Sequence, residues 1–217
     1  MDFAKARRNM VESQLRTNRV IEPAIVTAMG SVPRERFLPD ALAAVAYIDE
    51  DLPLGGGRFL MEPMIFGRML QEAMPGPEDA VLLIGCGTGY SAAVLAKLCG
   101  AVIALERDSG AAAKAQALLS GHGADNVVVV EGPLEKGWPD EAPYQLVLFD
   151  GAVGEVPQAI IDQLAENGRI VAVISNGEGP GRATLIERRG GVVSRRTLFD
   201  ANTPVLPEFV KSTGFVF

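Results

Sequence analysis

One histidine and two cysteines among 217 residues leave this chain short of the side chains by which many enzymes are recognised. A single imidazole rules out an HExxH pair or a His-rich zinc set and leaves at most one imidazole base. Two cysteines cannot build a disulfide framework, so a reducing, cytoplasmic setting is expected. No apolar run approaches the about 18 residues that cross a bilayer, and residues 1–20 lack the apolar segment of a secretory signal. No membrane contact is therefore expected. The sequence contains no GxxxxGK followed by Ser or Thr, which excludes P-loop chemistry, and no GxSxG, which disfavours a serine hydrolase. A net charge of -7 disfavours broad nucleic-acid binding, because phosphate neutralisation needs a cationic surface.

What remains is ordinary globular composition, 48% apolar and 22% charged, long enough for one large domain with a full core. Two textures divide it. Residues 1–78 read as a helical cap with loops and no strand. Phe3, Met10, Val11 and Leu15 recur near helical spacing, and a second helix opens at Glu22-Pro23 with proline in its first turn. Residues 40–46 form a third helical stretch, and a fourth helix follows Pro63. Between them, residues 53–58 carry three glycines and read as a loop. From Ala80 onward, apolar runs at 80–84, 101–105, 127–130, 146–149 and 170–174 alternate with helical segments at 91–98, 111–119 and 158–164. That rhythm predicts an α/β fold, a doubly wound, mostly parallel, Rossmann-like sheet covered on both faces. Residues 192–193, 198–199 and 215–217 predict antiparallel edge strands. Residues 79–217 then form the α/β domain, joined to the cap as one compact unit.

The informative segment is Val81-Leu82-Leu83-Ile84-Gly85-Cys86-Gly87-Thr88-Gly89-Tyr90, a buried strand running through three alternate glycines into a helix. Such a turn lets backbone approach a ligand closely, and a carboxylate ending the next strand, here Glu106, can accept both hydroxyls of a ribose. The bland alternative is a tight turn with Glu106 as a solvated strand end. The GxGxG spacing differs from the GxGxxG of dinucleotide sites, which speaks against a nicotinamide-dependent oxidoreductase. Asp150, ending the fourth apolar run, faces the same edge.

Further segments carry a resemblance. Met10-Val11-Glu12-Ser13-Gln14-Leu15-Arg16, Val32-Pro33-Arg34-Glu35-Arg36-Phe37-Leu38-Pro39, the approach from Ala46-Tyr47 to Gly55, then Gly137-Trp138-Pro139, Ala142-Pro143-Tyr144 and Val156-Pro157 occur in the order of the protein-L-isoaspartate O-methyltransferase family. The chain resembles that family, whose members are class I S-adenosylmethionine-dependent methyltransferases. The resemblance implies S-adenosyl-L-methionine as cofactor, held by Gly85, Cys86, Gly87, Thr88, Gly89, Tyr90, Glu106, Arg107, Pro133, Leu134 and Asp150. It implies methylation of the carboxylate of isoaspartyl residues in damaged proteins or peptides, by a monomer or homodimer, with no metal. The family's active-site loop aligns with Gly55 to Pro63, and its serine falls on Met61, with Arg58 and Phe59 where the family has Gln and Thr. The acid before the glycine turn is Leu83 here, and the acid expected near the adenine is Pro133. These departures support an alternative, a methyltransferase-like protein that binds cofactor with lost or altered substrate activity.

Other conspicuous residues read as structural. Cys86 suits a tight turn, Cys99 and Trp138 suit packing, and His122 reads as a solvated residue after a helix. Lys5, Arg7, Arg8, Arg16 and Arg19 read as the wet face of the first helix.

Overall fold

Alternation within the apolar strands divides the protein into two cores. In the computed structural model, which describes residues 1–176 and 179–210, β3 (Ala80–Ile84) sends Val81 and Leu83 to one face and Leu82 and Ile84 to the other. The same split recurs in β6 (Tyr144–Val153), where Leu146 and Leu148 oppose Val147 and Phe149, and in β7 (Leu164–Ile174), where Val171 and Val173 oppose Ile170 and Ala172. Successive side chains of a strand point to opposite faces, so an unbroken apolar run is stable only when both faces are covered. Each fully buried Leu, Ile or Val here contributes about 1.5–3 kcal/mol relative to exposure.

With β4 (Ala101–Glu106), β5 (Val127–Glu131), β8 (Arg182–Arg189) and β9 (Val192–Asp200), these strands form a seven-stranded sheet in the order β5-β4-β3-β6-β7-β8-β9. Neighbours from β5 to β7 are parallel, and β8 and β9 add antiparallel strands at one edge. The order reverses between β3 and β6, which opens a crevice at their carboxyl ends. The expected α/β architecture is present. β8, whose charged and apolar residues are mixed, was not visible in the sequence. The expected strand at residues 215–217 lies outside the described residues.

Helices α4 (Tyr90–Leu95), α5 (Ser109–Ser120) and α6 (Gln158–Ile161) are the crossovers. The cap contributes α1 (Phe3–Met10), α2 (Pro23–Ser31), with proline in its first turn as predicted, and α3 (Pro63–Ala73), which opens on Pro63 itself. Asp2 caps α1 by accepting from the Lys5 amide at 2.9 Å. The helix then widens into one π-turn over Val11–Leu15, and Arg19 ends the segment in the left-handed region. The helical stretch expected at residues 40–46 is a 3-10 helix over Asp40–Val45.

The reading of residues 1–78 as free of strands is corrected. β1 (Leu52–Gly55) and β2 (Arg58–Leu60) pair as an antiparallel hairpin, with Leu52 opposite Leu60 and Gly55 opposite Arg58. Gly56 and Gly57 form its two-residue turn at φ +58 and +77, the left-handed pair that matches strand twist. The glycines make the turn and do not merely interrupt the chain. The wet-face reading of the basic cluster fails at Arg7, which turns inward to donate to Tyr47 Oη at 2.8 Å and to Glu35.

Candidate functional site

The crevice is built from the carboxyl ends of β3, β4 and β6. After β3 the chain makes the glycine turn, with Gly85, Gly87 and Gly89 all at positive φ. A Cβ on Gly85 would stand 3.0 Å from Leu206, and one on Gly87 would stand 3.0 Å from Leu54, so only hydrogen fits without displacement. The turn secures itself. Gly85 and Cys86 amides donate to Leu105 O, Gly89 donates to Cys86 O, and Gly87 donates to Glu106 Oε2 at 2.9 Å.

Glu106 ends β4 and is fully buried. Its Oε1 accepts from Arg58 Nη2 and the Arg107 amide, each at 2.7 Å, and from the Asp108 amide at 3.2 Å. Its Oε2 accepts from Gly87 and from Arg58 Nε at 3.1 Å. Arg58, carried in by β2, also grips Glu208 through Nη1 and Nη2 at 2.8 and 2.9 Å. One guanidinium thus joins two carboxylates, bidentate to each, with its charge nearly sealed from water. Burial disfavours the Arg58 cation, but the hydrogen bonds it donates to Glu106 and Glu208 overcome it and hold its pKa above the ordinary value. Burial likewise opposes the Glu208 anion, and the Arg58 bonds prevail, keeping that carboxyl below its ordinary range.

Asp150 accepts from Ser91 Oγ at 2.9 Å. Its carboxyl is pushed up to about 7, first by burial and further by Glu106, against the pull of Ser91, Arg34 and Arg58. An unfolded aspartate titrates near pH ~4. Between about pH 4 and 7 the native chain therefore keeps a proton that the unfolded chain has released. Stability falls as pH rises through that window and levels off above it. Glu62, raised to about 7 by burial and by Asp51, Asp49 and Glu50, adds a smaller effect of the same sign. Glu208 acts oppositely and only below about pH 4.5, where its protonation costs stability. Urea midpoints should fall between about pH 5 and 7.5, and Asp150→Asn should flatten most of that slope.

The remaining predicted residues are placed as follows. Thr88 donates to Phe37 O at 2.6 Å and, with Gly87 and Arg107, lines a cavity of about 600 Å³ beside the turn. Arg107 is half exposed, 3.9 Å from Glu135. Pro133 precedes a 3-10 turn whose Leu134 is buried behind Gly85. Tyr90 is buried under Phe37, Phe66 and the Arg34 guanidinium, away from the cavity. Cys86 is buried, and burial, then Glu106 and Asp150, push its thiol well above the ordinary value, which makes it inert. Arg58 lines the cavity; Phe59 and Met61 do not, and the Met61 side chain is buried. His122 is half-buried against Phe37, with ring centres 5.0 Å apart, and is not the solvated residue expected.

Three residues escaped sequence reasoning. Arg34, fully buried, donates to Ala46 O at 2.7 Å and Met61 O at 2.6 Å and ties the hairpin to the cap. Leu206 and Glu208 come from a proline-rich tail with no periodicity, so nothing in the sequence placed them over the crevice.

A glycine turn, a buried carboxylate at the next strand's end and a neighbouring cavity suit an adenosyl ligand in residue type: the carboxylate matches a sugar's hydroxyl pair, and the turn has no side chains to obstruct approach. In this conformation Arg58 pairs with that carboxylate and Leu206 lies over the turn.

The model of the family described as protein-L-isoaspartate(D-aspartate) O-methyltransferase matches residues 5–202. A protein-L-isoaspartate O-methyltransferase of Methanoregula boonei is 40% identical over 184 residues, 85% of this chain and 84% of that protein. One from a Synechococcus species is 43% identical over 178 residues, 82% and 72% of the two chains. Among solved structures, a protein-L-isoaspartate O-methyltransferase superposes with a TM-score of 0.82 at 23% identity, covering 94% of this chain and 67% of its own. A second, from Plasmodium falciparum in complex with S-adenosyl-L-homocysteine, gives 0.80 at 18% identity, covering 96% and 99%. These two structures share the fold.

Proposed function

The chain belongs to the protein-L-isoaspartate(D-aspartate) O-methyltransferase family, and from that membership we propose that it methylates the free carboxylate of isoaspartyl residues in proteins and peptides. It is an S-adenosylmethionine-dependent protein carboxyl methyltransferase. The observation that carries the reading is the family match over residues 5–202, which spans the glycine turn and Glu106. The cytoplasm is the proposed compartment; among the described residues no helix is long and apolar enough to cross a membrane.

S-adenosylmethionine, when bound, supplies an electrophilic methyl group on a sulfonium. Glu106 would accept the ribose hydroxyls, and the glycine turn would lie against the ligand, with Arg107, Pro133, Leu134 and Asp150 as the surrounding candidates. An isoaspartyl carboxylate, with a pKa near ~4, is ionised at neutral pH and needs no general base. Attack joins an anion to a cation, so apolar walls such as Leu54 and Leu134 favour the reaction over the separated charges. Arg58, Phe59 and Met61, in the loop that resembles the family's active-site loop, are the candidates for the acceptor side.

A second reading, cofactor binding without isoaspartyl transfer, draws support from Met61, whose side chain is buried and has no hydroxyl to offer a substrate. Incubation with methyl-labelled S-adenosylmethionine and an isoaspartyl peptide, with its aspartyl isomer as control, separates the two. Base-labile label on the isoaspartyl peptide alone is expected. Ligand binding with no label on either peptide would favour the second reading.

A further inference from the structure

We propose that Arg58, Leu206 and Glu208 form an internal latch that occupies the adenosyl position and is displaced when the ligand binds; the proposal rests on reading this crevice as the cofactor site. The Arg58 guanidinium offers Nε to one oxygen of Glu106 and Nη2 to the other. A vicinal diol offers the same two donors to the same two oxygens. With the Gly87, Arg107 and Asp108 amides also on this carboxylate, its roughly four lone-pair sites are filled. Glu106 can hold the guanidinium or the sugar, not both.

The tail completes the occupation. Leu206, 3% exposed, lies over the glycine turn and the end of β6, where a Cβ on Gly85 or Gly151 would meet its methyl groups at 3.0 and 2.8 Å. The Ala152 amide donates to Pro204 O at 2.9 Å and the Leu206 amide donates to Ala152 O at 2.8 Å, so the tail adds itself to the crevice like a short strand. Phe209 stacks edge-on against Phe149 at 5.7 Å. The tail also touches the hairpin tip, since a Cβ on Gly57 would stand 2.7 Å from Pro207 Cγ. Arg58 on the hairpin is therefore bound at once to Glu208 on the tail and to Glu106, which couples the release of hairpin and tail. The cavity of about 600 Å³ between Leu54, Arg107 and Lys114 gives an approaching ligand a foothold beside the latch.

A ligand that binds only the open form shows its intrinsic affinity reduced by the open fraction, so weakening the latch should tighten binding. Titration calorimetry of the full chain with S-adenosylhomocysteine should give a dissociation constant about tenfold lower for Glu208→Gln and for Arg58→Ala than for the unmutated protein. Glu208→Gln preserves shape and carries the test if Arg58→Ala fails to fold. In parallel, saturating ligand should accelerate amide exchange at Leu206 and Phe209 in the unmutated protein. Binding by the variants alone, with none by the unmutated chain, would also support the latch. Equal or weaker affinity in the variants, or slowed exchange in the tail on binding, would overturn the latch while leaving the cofactor site standing. No heat from any of the three proteins would overturn the cofactor reading and the latch together.

Discussion

Glu106→Ala should lower the free energy of unfolding by about 3–5 kcal/mol, read as a fall in urea midpoint at constant slope. The size follows from what one carboxylate satisfies: five hydrogen bonds, two from a guanidinium and three from the Gly87, Arg107 and Asp108 amides. Removing one partner of a buried ion pair leaves the other charge unsolvated, and each orphaned buried amide adds a further cost. Glu208 moderates the loss, because Arg58 keeps one bidentate partner. Removing Arg58 as well should therefore add less than its own single effect, with a coupling of roughly 1–3 kcal/mol between the two sites. A loss below about 1 kcal/mol for Glu106→Ala would mean that water already reaches the pair, contrary to its complete burial.

Arg34→Ala should cost a similar 3–5 kcal/mol for a different reason. Among the described residues no carboxylate lies within bonding distance of Arg34; its partners are the carbonyls of Ala46, Met61 and, at 3.5 Å, Leu60, and its guanidinium lies 5.1 Å from the Tyr90 ring centre. Burial lowers its pKa, with Tyr90, Asp150 and Asp51 acting in the other direction. Truncation leaves a void beside the Tyr90 ring and strands the carbonyls of Ala46 and Met61. Arg34→Lys should recover only part of the loss, since an ammonium lacks the planar fork that reaches both carbonyls at once. Because those carbonyls belong to the cap loop and to the residue after β2, hydrogen exchange should quicken in residues 46–61 before the central strands respond. Uniform loss across the sheet would argue against this local role.

The parallel sheet was legible because its strands are short apolar runs ended by glycine or acid, a pattern only double-sided burial explains. Glu106 was legible for the same reason, as a charge at the end of such a run. The hairpin was not, although Gly56-Gly57 between two short stretches is a recognised turn signal; Pro53 and the third glycine obscured it. Arg58 stood out in the sequence only as a departure from the family's loop, and the fold turns it onto Glu106. That pairing joins residues 48 positions apart, and the bond to Glu208 spans 150, separations at which periodicity says nothing. Arg7 misled in the opposite sense: five basic residues near one helix look solvated until a tyrosine from residue 47 covers one of them.

Thr88 donates its hydroxyl to the carbonyl of Phe37, and the Phe37 ring lies between Tyr90 and the sole imidazole of the protein. Any movement of the glycine turn therefore pulls on that phenyl ring and alters the magnetic and polar surroundings of His122. The molecule carries a built-in reporter, a lone imidazole at the back of the turn that senses events on its front without touching whatever sits there.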